Sequence, residues 1–135
     1  MMVKKFTLGH SNYEDWLYCA EDDINLSFIA CEISPRNASY LAQQGAEKAL
    51  KAFLIFMKTP LRRTHDLTDL LESCAEFDNE FRELYEIAEW LQPFSTKARY
   101  PDSGLYVPDT TTVQLLAKDA QRILSFVQKK IFELK

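Results

Sequence analysis

The feature that most constrains the fold is a run of small residues at helical spacing between positions 38 and 56. They recur at alternating intervals of four and three, and they are Ala38, Ala42, Gly45, Ala49, Ala52 and Phe56. This spacing places all of them on one side of an α-helix, which predicts a buried face. Because the run is mostly alanine with one glycine, we expect the backbone of a neighbouring element to approach closely.

The opposite side of the same predicted helix carries amides and charges. This polar stripe consists of Gln43, Gln44, Glu47, Lys48 and Lys51. Glu47 and Lys51 stand four residues apart, which is the spacing of a helical ion pair. Three interpretations are open: a solvent-exposed face, a ligand site, or a homodimer interface in which small residues between the amides permit close packing.

Length and composition favour one helical domain. The chain has 135 residues, of which 47% are hydrophobic and 27% are charged, and only three are glycine and five proline. These values are typical of a globular domain with long helices, so we predict a single domain over residues 1–135, with residues 1–10 as an N-terminal extension. The net charge of −4 argues against broad electrostatic binding of DNA, and RNA is not favoured.

Capping residues and proline divide the chain into helices. A capping box at Ser11 and Glu14, with Asn12 as another possible cap, opens the first helix at about Tyr13. A proline in the first turn opens a second helix over 35–57 or 35–58. Thr64 is the predicted cap of a short third helix.

Two further helices follow the predicted caps Asp78 and Asp109. Their predicted inward positions are Phe81, Leu84, Ala88 and Leu91, then Val113, Leu116, Ala120, Ile123, Val127, Ile131 and Leu134. Residues 92–108 lack helical periodicity, and a loop of this length is often functional. Short connections between the first four helices predict an all-α, up-and-down bundle of four or five helices.

Three ordered segments carry a resemblance to a known family. They are the helix over 40–54, the sequence Thr-His-Asp-Leu at 64–67, and Ala-Arg-Tyr-Pro-Asp at 98–102. Together they resemble the HEPN family of small helical domains, which are associated with nucleotidyltransferases and with RNA-targeting toxins. The resemblance covers nearly the whole chain and implies a HEPN-like bundle. It also implies an acidic residue at about Asp23, held in a salt bridge.

The resemblance supplies a test for ribonuclease activity. HEPN ribonucleases carry an arginine followed after four to six residues by a histidine. Upstream of His65 those positions hold Lys58, Thr59 and Pro60, and upstream of His10 they hold no arginine either. We therefore predict no catalytic residue of the usual HEPN kind, and an enzyme is the less favoured interpretation.

The basic residues have two interpretations, phosphate binding and a purely structural role. Arg62, Arg63 and His65, with Lys58, form the densest basic cluster, near the start of a predicted helix. The alternative is that residues 64–66 only cap the third helix and join it to the second. In the loop, Arg99 can pair with a phosphate and Tyr100 can stack on a base, or the loop can simply be a turn tied to the bundle.

From these residues and the resemblance, we expect a nucleotide-binding or interaction module that works with a minimal nucleotidyltransferase, in a toxin–antitoxin pair and as a homodimer. The candidate contacts are Lys48, Lys51, Arg62, Arg63, His65, Arg99 and Tyr100. The expected ligand is ATP or another nucleotide with Mg²⁺, and no protein metal site is predicted. Alternatives are a non-standard ribonuclease using His65 with Arg62 or Arg99, and a purely structural interaction protein.

The expected location is the cytoplasm, away from membranes. An odd number of cysteines at helical positions, Cys19, Cys31 and Cys74, suits a reducing compartment better than a disulfide framework. No apolar run approaches the length of a membrane span. The N-terminus shows no apolar stretch of the signal-peptide kind.

Overall fold

A computed structural model describes residues 8–95, 99–101, 104 and 106–135, and within these residues it is helical without strands. The α-helices are α1 (Tyr13–Ala30), α2 (Pro35–Phe56), α3 (Leu67–Ala75), α4 (Tyr85–Leu91) and α5 (Thr110–Leu134). Short 3₁₀ helices cover Asn79–Leu84 and Gln92–Phe94. The predicted all-α bundle is confirmed.

Most of the predicted helix starts are confirmed. The Asn12 side chain accepts a hydrogen bond from the Glu14 backbone N–H at the start of α1, so the alternative cap is the one used. Asp109 caps α5 through the Thr112 N–H. One inward position of α5 was predicted wrongly, because Leu134 lies in the last turn, beyond the packed part of the helix, and is 55% exposed.

The cap of α3 differs from the prediction. Asp66, two residues after Thr64, is the N-cap, and its carboxylate accepts hydrogen bonds from the Thr68 and Asp69 backbone N–H groups. The Thr64 hydroxyl instead accepts from the Asp66 N–H and so fixes the turn before the helix. The hydrogen bond from the Thr68 hydroxyl lowers the pKa of Asp66. Asp66 therefore stays ionised beside the N-terminal end of the helix.

The fourth predicted helix is built in two parts. Asp78 is the cap, as predicted, and accepts a hydrogen bond from the Glu80 N–H. The first six residues form a 3₁₀ helix before α4 begins at Tyr85. The four predicted inward side chains, Phe81, Leu84, Ala88 and Leu91, are all buried.

Close packing of α1 on α2 confirms the prediction that the small residues of α2 let a neighbouring backbone approach. A Cβ atom placed at Gly45 would lie 3.1 Å from the Ala20 carbonyl oxygen and closer still to the Ile24 side chain. Pairs along the contact, Tyr13 with Phe56 and Ser27 with Ala38, show that the two helices run antiparallel. Glycine at 45 thus permits an approach that any other residue would obstruct.

The position of α2 at the centre of the bundle corrects one interpretation of its polar stripe. It packs against α1, α3, α4 and α5. Residues 57–66 run back along α2, so that His65 contacts Gln43 and Glu47, and α3 then follows the direction of α2 toward Leu50. As a result Gln43, Glu47 and Lys51 are buried, and the interpretation of the stripe as a solvent-exposed face is wrong for these residues.

No described helix is both long enough and apolar enough to cross a membrane.

Aromatic contacts in the core connect the helices, with Phe53 packed on Phe81 and Phe81 packed on Phe126. Parts of the predicted N-terminal extension and of the 92–108 loop, including Ala98 and Asp102 of the third motif, lie outside the described residues.

Candidate functional site

The polar side of α2 forms a network around one carboxylate. Glu47 Oε2 lies 3.1 Å from Lys51 Nζ and 3.0 Å from His65 Nδ1. The Glu47 and Lys51 side chains are 4% and 7% exposed, whereas that of His65 is 60% exposed. Because an ionised carboxylate only accepts hydrogen bonds, Nδ1 of His65 carries the proton and Nε2 points away from this contact.

Two glutamines extend this network toward the start of α2. The Gln43 side-chain amide donates to the His65 carbonyl oxygen at 3.4 Å. Gln44 in turn donates to the Gln43 side-chain oxygen at 2.7 Å. Among the described residues, no buried side-chain nitrogen or oxygen lacks a hydrogen-bond partner. The amides therefore fix His65 through its backbone, and Glu47 fixes it through its ring.

Lys48 faces α1 rather than the His65 side of α2. Its ammonium group lies 2.5 Å from the Asp23 carboxylate, which is the salt bridge that the family resemblance implied. It also lines a cleft of about 220 Å³ together with Trp16 and Cys19. Burial raises the pKa of the Cys19 thiol, so that thiol stays protonated in neutral solution and is a poor nucleophile.

Trp16 separates that cleft from the charged network. Its ring centroid is 5.8 Å from Lys51 Nζ, within the range of a cation–π contact. The Trp16 indole N–H donates to the His10 carbonyl oxygen at 2.8 Å, which holds the start of the described chain against α1. Lys51 is therefore enclosed between an aromatic ring and a carboxylate and has little freedom to reach a ligand.

The basic cluster between α2 and α3 is dispersed. Arg62 turns toward α3, where its guanidinium donates to the Ser73 hydroxyl and the Asp69 carbonyl oxygen. Lys58 is exposed with a positive φ of 62° just after α2, and Arg63 is exposed. Neither Lys58 nor Arg63 forms a salt bridge within the described ranges. These two cations, unlike Arg62, are available to an anion from solution.

The described part of the 92–108 loop docks on the start of α2. Arg36 donates to the Arg99 carbonyl oxygen at 3.0 Å, and the Arg99 guanidinium stacks 4.7 Å from the centre of the Tyr40 ring. Tyr100 beside it is 59% exposed. Tyr40 precedes Glu47 by two helical turns, about 10 Å by helical rise, so the residues that contact Arg99 and His65 lie on the same side of α2.

The seven candidate residues thus divide into groups. Lys51 and His65 meet at Glu47, Lys48 is paired with α1, and Arg62 is directed to α3. Arg63, Arg99 and Tyr100 are exposed. The residue that organises the site, Glu47, belonged to the predicted stripe but not to the predicted contacts. The signal that could have identified it is its four-residue spacing from Lys51.

We define the α2 polar surface as Tyr40, Gln44, His65 and Arg99. It presents a stacked guanidinium, an amide and an imidazole nitrogen, all hydrogen-bonding or cationic groups that suit phosphate and nucleobase edges. Within the described ranges, no three histidine, cysteine or acidic side chains converge on a point that would hold a metal ion.

Comparisons with known proteins agree with this architecture. The chain is similar to TT1696 from Thermus thermophilus, whose crystal structure superposes with a TM-score of 0.77 at 27% identity, covering 87% of this chain and 97% of that one. It is also similar to the crystal structure of ST0689, an archaeal HEPN homologue, with a TM-score of 0.72 at 29% identity, covering 89% and 98% of the two chains.

No match was found among curated proteins. The sequence model of the HEPN domain matches residues 13–131, which is most of the chain and includes all five α-helices up to the last turn of α5. This match and the structural similarity lead to the same assignment. The protein belongs to the HEPN domain family.

Proposed function

We propose that this HEPN domain is the helical partner of a minimal nucleotidyltransferase and that its α2 polar surface contacts the nucleotide. The observation that carries the proposal is the network around Glu47. The buried charges of Glu47 and Lys51 are paired with each other, and Glu47 also holds His65 at the surface. A surface fixed in this way loses little conformational entropy when it binds a ligand.

The available charges define how a nucleotide would bind. Arg99 on this surface and Arg63, two residues before His65, carry exposed guanidinium groups, and Tyr100 offers an exposed ring for a base. Lys48 and Lys51 are not expected to contact the phosphate, because each is already paired with a carboxylate. A phosphate therefore meets Arg63, Arg99 and His65 first, and ATP with Mg²⁺ is the ligand to test.

A calorimetric titration with ATP and Mg²⁺ tests the proposal, with the domain alone and with any minimal nucleotidyltransferase encoded beside it. We expect saturable binding in at least one of these mixtures. The double variant Arg63→Glu/Arg99→Glu is expected to weaken it by at least about tenfold, since it reverses both exposed charges. The control Lys118→Glu/Arg122→Glu also reverses two exposed charges, on α5, and is expected to leave binding intact.

The two mixtures also distinguish the kind of module. Binding by the isolated domain places the whole site on this chain, whereas binding only with the partner makes this chain one half of a shared site. Absence of binding in both mixtures, or equal binding by the Arg63→Glu/Arg99→Glu variant, contradicts the proposal and favours the purely structural interaction protein.

We further propose that the domain works as a homodimer in the cytoplasm, in a toxin–antitoxin pair.

One observation favours a second function, a ribonuclease of non-standard design. Glu47 orients His65 through Nδ1, which leaves Nε2 free to accept a proton, as in other carboxylate–histidine pairs. Arg62 is turned away to Ser73, so Arg99 is the better phosphate clamp. Cleavage of RNA by the wild type that is lost in both His65→Ala and Glu47→Gln would establish this function. RNA left intact by the wild type would rule it out.

A further inference from the structure

The outward side of α1 exposes large apolar side chains. Leu26, Ile29 and Ile33 are 47%, 70% and 83% exposed, and we call them the α1 patch. Together with Asp22 they follow one another by four, three and four residues, so they lie along one face of the helix and the turn after it. Single exposed apolar residues are ordinary, but neighbouring ones on one face mark an interaction surface.

The charge around the α1 patch is of one sign. Residues 13–30 contain Glu14, Asp15, Glu21, Asp22 and Asp23 and no lysine, arginine or histidine. Asp15 accepts a hydrogen bond from the Gly9 N–H, and Asp23 is paired with Lys48. The exposed carboxylates of Glu21, Asp22 and Glu32 take part in no salt bridge within the described residues. The patch is therefore bordered by uncompensated negative charge.

We propose that the α1 patch docks a basic amphipathic helix of a partner protein. Leu26, Ile29 and Ile33 would meet the apolar face of that helix, and the acids beside them would meet its lysines and arginines. This inference goes beyond the proposed nucleotide site and uses none of its residues.

The same charges argue against other occupants. In a symmetric dimer the same patch meets itself, which would set the carboxylates of one copy against those of the other. A homodimer of this domain would therefore use another face. An anionic lipid surface is repelled for the same reason, since exposed carboxylates face its negative charge.

Fluorescence anisotropy with labelled model peptides tests the proposal. The probe is a Leu/Lys amphipathic helix of about five turns. One reference peptide has glutamate in place of lysine, and another has the Leu/Lys composition in scrambled order. We expect saturable binding of the first peptide alone, weakening as salt is raised. The scrambled peptide, which has charge but no apolar face, is expected to bind at least about tenfold more weakly.

Variants locate the binding on α1. Leu26→Gln/Ile29→Gln/Ile33→Gln is expected to lose at least about tenfold in affinity, and Asp22→Asn about twofold to threefold. The control Phe132→Gln removes a side chain that is 78% exposed on α5 and is expected to bind as the wild type does. All substituted positions are on the surface, so the variants are expected to fold.

Several results would overturn the inference. Equal binding of the scrambled peptide would reduce the effect to charge alone, and unchanged binding by the triple variant would place it elsewhere. An equal loss in Phe132→Gln would show that any exposed apolar residue suffices. A wild-type dimer, seen by light scattering, that dissociates in the triple variant would show that a second copy covers the patch.

Discussion

Two ion pairs in this domain have the same sequence spacing and opposite surroundings. Glu47 and Lys51 on α2 are 3.1 Å apart, with side chains 4% and 7% exposed. Lys129 and Glu133 on α5 are 4.0 Å apart, with side chains 75% and 48% exposed. Both pairs join positions i and i+4 of a long amphipathic helix. The difference shows that spacing alone predicts a pair but not its energetic role, which depends on what covers the helix.

The Glu47–Lys51 pair on α2 is buried in part by a segment without helical periodicity. Residues 57–66 bring His65 against Glu47, and Trp16 closes the other side of Lys51. On α5, the one charged side chain that is buried among the described residues is that of Lys130. Its side chain is 8% exposed and pairs with Asp78, the cap of the 3₁₀ helix, and with Glu80 in the first turn of that helix.

The largest expected effect on stability comes from removing one partner of the Glu47–Lys51 pair. Glu47→Ala leaves the Lys51 ammonium buried without its carboxylate and releases His65. We expect a loss of about 3 kcal/mol in the free energy of unfolding, near the lower end for a broken buried pair because His65 is partly open to water. Urea denaturation at neutral pH measures it. A loss below about 1 kcal/mol would show that Lys51 finds water or another partner at little cost.

Removing the close approach of α1 to α2 is expected to cost less. Gly45→Ala adds a Cβ that meets Ile24 and lies 3.1 Å from the Ala20 carbonyl oxygen. In an exposed helix this substitution stabilises by about 1 kcal/mol, but here overpacking is expected to reverse the sign to a loss of about 1 to 3 kcal/mol.

Gln128→Ala, on the exposed face of α5, is the matched control for Gly45→Ala and is expected to change stability by less than about 0.5 kcal/mol. Thermal unfolding compares the two variants with the wild type. A Gly45→Ala protein that melts above the wild type would contradict the packing described here.

The Lys130 cluster predicts a dependence on acid. The hydrogen bond from Lys130 lowers the pKa of Asp78, and the bonds to Asp78 and Glu80 raise the pKa of Lys130. Because the folded pKa of Asp78 lies below its unfolded value of about 3.9, its contribution is present above that value and is lost as pH falls through the folded pKa.

Lys130→Met is expected to cost about 1 kcal/mol at neutral pH, since both acids remain partly hydrated. It is also expected to reduce the loss of stability on acidification, because Asp78 then titrates closer to its ordinary range. Urea denaturation at about pH 7 and about pH 3 measures both effects. An acid dependence equal to that of the wild type would show that the Lys130 contact does not set the Asp78 pKa.

The smallest expected effect completes the comparison. Glu133→Ala removes the partner of Lys129 on the exposed face of α5, and we expect a change of about 0.5 kcal/mol or less. Raising the salt concentration is expected to abolish even this difference. A cost similar to that of Glu47→Ala would mean that burial does not distinguish the two pairs.

Much of the fold follows from local sequence signals. Residues close together in the chain set the small face of α2, the cap at Asp109 and the inward face of the 3₁₀ helix and α4, and these predictions are confirmed. The cap of α3 was predicted wrongly because Thr64 and Asp66 are both good caps, and the choice depends on how the chain enters the helix.

The arrangement of the candidate site was harder to predict from the sequence than the fold. The direction of the Arg62 side chain is set by Ser73, a residue on the following helix, and the burial of Glu47 is set by the path of residues 57–66. Neither leaves a periodic signal. The resemblance to the HEPN family did indicate the Asp23 salt bridge, whose partner Lys48 only the packing of α1 on α2 identifies.

A double-mutant cycle on Glu47 and Lys51 tests the central claim most directly. Unfolding free energies of the wild type, Glu47→Ala, Lys51→Ala and the double variant give the coupling energy of the pair. The account predicts a coupling of at least about 1.5 kcal/mol, well above that of the Lys129–Glu133 pair measured in the same way. Equal couplings of about 0.5 kcal/mol or less for both pairs would contradict it.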